Sequence, residues 1–517
     1  MSGARARTLM VVGTSSSAGK SLIVTALCRI FARAGVRVAP FKGQNLSNNA
    51  AVCGDGSEIG RAQAVQALAA GVAPSADMNP VLLKPGADGT SQVILLGRPA
   101  GRGTEQFYRD NWGMLWASVT GALDRLRTTC DLVIMEGAGA AAELNNGGHD
   151  LANLSIAQYA GSPALLVGDI ERGGVFAQLL GTLWLLPPAE RELIKGLIVN
   201  KFHGDVALFD NGISILQERS GVPVLGVVPY VDDLALPEED AASLDVPATA
   251  RRQKGGTDIA VIRLPHIANF DDFDPLAREP GVHLRYVTSS QDWGNPAAII
   301  LPGTRATMAD LAWLRSRGLA DAIARGAAAG IPVVGICGGY QMLGTAVRDP
   351  GHIESDLDAV PGIGLLNHTT TFEATKTTQQ VRARIVRGPG WMAALDGQTV
   401  EGYEIHVGTS SGGTPWLLVP HGGQDQAATP QGNASPDAKC WGCYLHGMFA
   451  NETFRRTWLA SLGWRLPPAG GSESALQESL DRLADAVLCA LDMDALQSII
   501  GVQDREFGHG HTARHAT

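Results

Sequence analysis

Nowhere in this chain do about eighteen apolar residues follow one another, so no transmembrane helix is expected. A disulfide framework is missing too. The seven cysteines are an odd number scattered over 517 residues, and they read as reduced thiols of a cytoplasmic protein. There is no basic excess: 41 Lys and Arg against 51 Asp and Glu leave a net charge of −10. That argues against a nucleic-acid partner, whose phosphates favour a basic face. No secretory leader is expected from the opening residues. The N-terminus "MSGARARTLMVVGTSSS" holds two arginines but only a four-residue apolar stretch before Gly13, which reads as a first strand. No internal repeat is visible. What remains is a globular composition, 45% hydrophobic and 18% charged, on a chain long enough for roughly two to four domains.

Residues 9–230 alternate short apolar runs with helical stretches. "LMVVG" (9–13), "VRVAPF" (36–41), "DLVIMEG" (131–137), "PALLVGDI" (163–170), "KGLIVNKF" (195–202) and "VPVLGVVP" (222–229) are rich in Val, Ile and Leu without alternation. Strands buried on both faces read this way. In "KSLIVTALCRIFARAG", Leu22, Ile23, Leu27, Ile30 and Phe31 fall on one helical stripe, and Gly35 is the stop. Strand–helix repetition predicts an α/β fold with a mainly parallel sheet. The Pro-, Ala- and charge-rich stretch 233–257 breaks the pattern and reads as a linker. A second α/β series follows in "DIAVIRLP" (258–265), "VHLRYV" (282–287), "AAIILPG" (297–303) and "IPVVGIC" (331–337). Residues 410–437 read as a long surface loop, and the chain closes on a helical pattern with a polar, frayed end. The expected division is 1–235, a linker over 236–257, 258–465, and a helical tail over 466–517.

Two stretches carry chemistry. "GTSSSAGKS" (13–21) follows the first strand and opens the first helix. There, backbone N–H groups and a helix N-terminus point at an anion. Lys20 reaches terminal phosphates and Ser21 offers a hydroxyl to Mg²⁺. Gly13 and Gly19 enclose five residues where the strict phosphate-loop pattern has four, so the strand–loop–helix context carries this reading. Glu136 ends the third strand and is the expected second oxygen for Mg²⁺. "FKGQNLSNNA" (41–50) places Lys42, Gln44, Asn45, Ser47 and Asn48 at a strand end, where open α/β sheets bind ligands. The second stretch is "GICGGYQMLG" (335–344), a strand–turn–helix elbow around Cys337 whose helix N-terminus favours a thiolate. Backbone N–H groups at Gly338 and at Gly303 in "PGT" are candidates to hold an oxyanion. A thiolate needs a base, and the candidate is His446 in "CYLHGMF" (443–449). "CWGC" (440–443) has no second pair at metal-ligand spacing and reads as structural.

The five-residue phosphate loop resembles that of dethiobiotin synthetases and of cobyrinate-amidating enzymes, and the cysteine elbow resembles a class I glutamine amidotransferase. Taken in order, "GTSSSAGKS", "FKGQNLSNNA", "EGAGA", "DIERGGVFA", "NKFHGD", "LPHIANFDDFDPL", "LPGTRATMADLAWLR", "GICGGYQMLG", "EGYEIHVG" and "CYLHGMF" resemble the cobyric acid synthase family over nearly the whole chain. The resemblance implies ATP- and glutamine-dependent amidation of the b, d, e and g carboxylates of adenosylcobyrinic acid a,c-diamide, with ATP and Mg²⁺ and no prosthetic group. It implies Gly13, Thr14, Gly19, Lys20, Ser21 and Asn200 around ATP, with Asn200 at the adenine edge. Lys42 is implied as a catalytic lysine, and Gln44, Asn45, Ser47 and Asn48 near the acceptor. It departs at position 448, where Met stands in place of the usual Glu two residues after the histidine, so the group that orients His446 is open. Two alternatives stand beside this reading. One is the sibling that makes the a,c-diamide. The other is a partitioning-type ATPase switch, which would carry a second lysine early in the loop where Thr14 and Ser15 stand.

Overall fold

The computed structural model describes residues 5–86, 89–144, 150–237, 244, 256–420, 428–465 and 473–502. The first domain is built on six parallel strands in the order Val224–Pro229, Ile194–Phe202, Ala164–Asp169, Arg7–Gly13, Leu132–Glu136 and Val38–Phe41. These are the six apolar runs of the sequence. Their lack of alternation has a direct cause. On Arg7–Gly13, Leu9 and Val11 enter one apolar cluster while Met10 and Val12 enter another on the opposite face. The helix Lys20–Arg33 covers the first of these faces with Ile23, Leu27, Ile30 and Phe31. Leu22, expected on that stripe, is 37% exposed, and Val24 is buried in its stead. Gly35, with φ +74°, turns the chain after the helix.

The C-terminal tail finishes the same core. Its helices Glu473–Ala490 and Met493–Ile500 bring Leu480, Leu483, Val487, Leu496 and Ile500 into the cluster of Leu27 and Phe31. Arg29 Nε pairs with Asp481 Oδ1 at 2.9 Å across that seam. The polar chain end lies outside the described residues, as does most of the expected linker.

Between strand Val38–Phe41 and the helix Glu105–Thr129 the chain makes a small sheet ordered Gln44–Leu46, Val81–Pro85, Ser91–Leu95 and Arg98–Gly103. It also makes a hairpin, Ala50–Val52 with Glu58–Gly60, and the helix Arg61–Ala70. Sequence patterning is silent here because most of these strands are too short to show a period.

The second domain has parallel strands in the order Val282–Val287, Thr257–Ile262, Ala298–Leu301, Val333–Ile336 and Cys440–Cys443. An antiparallel layer lies against them, with Thr369–Ile385 paired to Thr399–Ser411. The segment 410–437 is not one surface loop. It contains Leu417–Val419, Thr429–Gln431 and Asn433–Ala434, while 421–427 lie outside the described residues. Trp416 is fully buried, edge-on to Trp441 at 5.6 Å between ring centres. Flanking Gly and Pro hid a short apolar strand whose burial depends on tertiary packing.

Because the tail belongs to the first core, Leu480→Ala should cost about 2–5 kcal/mol there. Calorimetry should show the first domain's transition move down while the second domain's transition stays. Equal movement of both would place the tail elsewhere.

Candidate active sites

The phosphate loop is shaped by close approaches. Gly19 has φ +96°, and a Cβ on it would lie 2.0 Å from Asn200 Nδ2, so no other residue fits. Asn200 is buried beneath the loop and donates to Ala18 O at 2.9 Å. Lys20 lies back over Gly13 and donates to Gly139 O (2.7 Å) and Ser15 O (3.0 Å). Thr14 Oγ1 donates to Gln178 Oε1 at 3.2 Å. Glu136 is the hub. Its Oε1 accepts from Ser21 Oγ and from Lys42 Nζ, each at 2.8 Å, and its Oε2 accepts from Gln66 Nε2. Burial works to raise the Glu136 pKa, but Lys42, Gln66 and Ser21 outweigh it and hold the carboxyl below its usual range.

These residues fit a magnesium–nucleotide. An ionised carboxylate and a hydroxyl 2.8 Å apart offer Mg²⁺ the one or two oxygens it takes from protein when phosphates and waters supply the rest. Among the described residues no three His, Cys, Asp or Glu side chains form a cage for a metal ion.

The polar strand end is partly committed to local structure. Asn45 Nδ2 donates to Gln63 Oε1 at 3.0 Å, and Ser47 Oγ accepts from Asn49 N at 3.0 Å. Gln44 is half-buried. Asn48 keeps a buried Oδ1 that no hydrogen-bond donor reaches.

The second site sits at the end of strand Val333–Ile336. Cys337 has φ +51° and ψ −110°, a strained conformation for a residue with a side chain. A Cβ on Gly339 would lie 2.0 Å from Leu301 O, so the elbow needs glycine there. A Cβ on Gly338 would meet Thr304 Cγ2 at 2.6 Å, and one on Gly303 would meet His446 Cε1 at 2.9 Å. The predicted oxyanion residues therefore flank the thiol and the imidazole.

His446 is buried. Its Nδ1 meets Asp272 Oδ2 at 2.6 Å, and Asp272 Oδ1 accepts from Gly447 N at 2.8 Å. Tyr403 holds it from the other side. The two backbones exchange hydrogen bonds of 3.1 and 2.9 Å, and the rings stack 5.2 Å apart at 17°. Burial pushes the imidazole pKa down, but Asp272 and the Cys337 side chain together raise it to about 10. The imidazole is accordingly held in its charged form at neutral pH. Asp272 is the orienting group that the sequence left open. It comes from "FDDFDPL", far upstream, while Met448 at the usual position is buried in the apolar core. Nothing in sequence spacing separates Asp272 from Asp271 or Asp274.

A pocket of about 40 Å³ opens on Cys337 and His446, lined also by Thr307, Gln341, Arg305, Glu354, His406, Lys376 and Lys84. Lys84 belongs to the first domain, so the pocket closes at the domain contact. Burial raises the Glu354 pKa to about 7. The thiols of "CWGC" are buried, and burial pushes Cys440 up to about 12, which suits inert side chains.

Residues 9–244 match the model of the CobQ/CobB/MinD/ParA nucleotide binding domain, and residues 258–454 match that of the CobB/CobQ-like glutamine amidotransferase domain. The chain is 51% identical to a cobyric acid synthase of Chloroflexus aurantiacus, over 96% of this chain and 99% of that protein. It is 50% identical to one of Roseiflexus castenholzii, over 93% and 96%, and 44% identical to one of Moorella thermoacetica, over 98% and 99%. The chain belongs to the cobyric acid synthase family. It is an enzyme, a glutamine-hydrolysing ligase with a nucleotide-binding domain ahead of its amidotransferase domain.

The raised His446 pKa sets a pH window. Its ordinary value is 6.5 and its folded value about 10. The stability drawn from the charged imidazole is thus fully present below about 6.5 and is lost as pH climbs through about 10. Asp272→Asn removes the main charge that sustains it, so burial should then dominate and the imidazole pKa should fall. The expected result is an alkaline limb of Cys337 alkylation displaced to lower pH, and a loss of about 10²–10⁴ in glutamine hydrolysis. An unchanged pH profile would remove Asp272 from the site.

Proposed function

We propose that the two centres run one reaction in series: amidation of the b, d, e and g carboxylates of adenosylcobyrinic acid a,c-diamide, one glutamine and one ATP per amide. The observation that carries this reading is a single chain holding both constellations, Lys20–Ser21–Lys42–Glu136 and Cys337–His446–Asp272, in a family whose named members make cobyric acid.

At the second centre the Cys337 thiolate attacks the carboxamide carbon of glutamine. Backbone N–H groups of Gly338 and the Gly303 loop stabilise the oxyanion. His446 gives its proton to the departing nitrogen, and ammonia leaves a γ-glutamyl thioester. Water then releases glutamate, returning its proton to His446. Asp272 keeps the imidazole in register throughout. At the first centre an acceptor carboxylate takes the γ-phosphoryl group of ATP, ADP departs, and ammonia displaces phosphate from the acyl phosphate. Lys20 and Lys42 balance charge on the transferring group. Ser21 and Glu136 would hold Mg²⁺, which would supply positive charge to offset that of the phosphates. Asn200 braces the loop that wraps the phosphates, and Asn48 offers an unpaired oxygen beside the acceptor.

The diamide-synthase alternative shares this chemistry and differs in the corrin it accepts. Product mass after incubation with the a,c-diamide, glutamine and ATP separates the two, since four amides must appear. Cys337→Ser should abolish glutamine-fed amidation and spare amidation fed by ammonium at alkaline pH. Lys20→Ala should lose amidation from both nitrogen sources while part of the glutamine hydrolysis survives. If Lys20→Ala retains ammonium-fed amidation, the first domain is not the synthetase and the reading falls.

A further inference from the structure

The helix Arg61–Ala70 belongs to the first domain, yet its first residue ends inside the second. Arg61 Nε lies 3.0 Å from Asp271 Oδ2, and both side chains are nearly buried. Its Nη2 donates to the hydroxyl of Tyr403, and its guanidinium carbon sits 5.2 Å from the centre of that ring. The same Nη2 is fixed to its own domain through Ala50 O at 2.8 Å. Each partner touches the thiol site. Asp271 immediately precedes Asp272, which holds His446 Nδ1. Tyr403 stacks on the His446 ring and clasps its backbone. Two arms therefore run from one guanidinium to both sides of one imidazole.

We propose that Arg61, supplied by the nucleotide-binding domain, is a positioning residue for the glutaminase centre. The inference rests on the reading of Cys337 and His446 as that centre. Physically, a buried aspartate beside a second buried aspartate stays ionised and in place only with a cation against it. Burial already works to raise the Asp271 pKa, and Arg61 opposes that. Without the cation, Asp271 takes up a proton or turns away, and the backbone that carries Asp272 shifts with it. The tyrosine arm acts independently. It fixes the plane on which the imidazole rests. Arg suits this place because its planar fork serves two acceptors at once, which a lysine's point charge does less well. The same helix carries Gln66 midway along it, which donates to Glu136 in the phosphate-loop site. One rigid element thus spans the two centres.

The test uses the full chain. Arg61→Lys and Tyr403→Phe should each lower kcat for glutamine hydrolysis, with KM for glutamine held within about twofold, and Arg61→Ala should lose tenfold or more, an effect on the order of a disturbed acid–base partner. In Arg61→Ala the rate of Cys337 alkylation by iodoacetamide should fall at neutral pH, because a misplaced imidazolium no longer sustains the thiolate. Ammonium-fed amidation should persist, showing a folded synthetase. Gln380→Ala removes a bond across the same domain contact, Gln380 Nε2 to Val52 O, that touches neither Cys337, His446 nor Asp272. It should leave glutamine hydrolysis unchanged. Normal kcat in Arg61→Ala, or losses that Gln380→Ala reproduces, would overturn the proposal. Cys337→Ser is the separate control: if it still hydrolyses glutamine, the site itself was misread.

Discussion

Glu58 has a lysine on each oxygen, and each lysine comes from a different domain. Lys84, from the first domain, meets Oε1, and Lys376, from the second, meets Oε2 at 2.5 Å. All three are buried, and a buried carboxylate between two amines is stable only while both remain. Burial lowers the Lys84 pKa to about 8, less than it would without Glu58 beside it. This charge clamp fixes how the domains meet. Lys84 and Lys376 both line the Cys337 pocket, so the same clamp also forms part of its wall.

The parallel sheets were legible because both-face burial removes alternation, and the strand ends carry the chemistry in both domains. Lys20, Ser21 and Glu136 were placed by position on that scaffold, and the structure brings Ser21 and Lys42 onto the Glu136 carboxylate while Lys20 lies against the loop backbone. Cys337 and His446 were found the same way. The partners that tune these groups were not. Asp272 sits in a segment with three aspartates on two short helical turns, Phe270–Phe273 and Asp274–Ala277, and only the tertiary approach of "FDDF" to the "LHG" turn selects one of them. Gln66 lies on a helix whose buried face is largely alanine, so no apolar stripe marked it. The segment 410–437 failed for the opposite reason. Its composition is that of a loop, and Trp416 reveals its burial only against Trp441 and Phe454.

Two histidines in the Cys337 pocket show how the site sets charge. Burial pushes both imidazoles toward the neutral form. His446 has Asp272 at 2.6 Å, with a second carboxylate oxygen pinned by Gly447 N, and its pKa rises to about 10. His406 has Glu404 only at 3.9 Å. That carboxylate already accepts from Gln379 at 2.6 Å and from Gln431, so little of its field is left for the ring, and burial takes the His406 pKa down to about 4. His406 Nδ1 lies 3.1 Å from Gly408 O, which places the proton there and leaves Nε2 as a bare acceptor. One pocket thus holds a charged imidazole and a neutral ring whose Nε2 points a bare lone pair at the pocket. The division of labour lies in the placement of Asp272 and Glu404, and the imidazoles only report it.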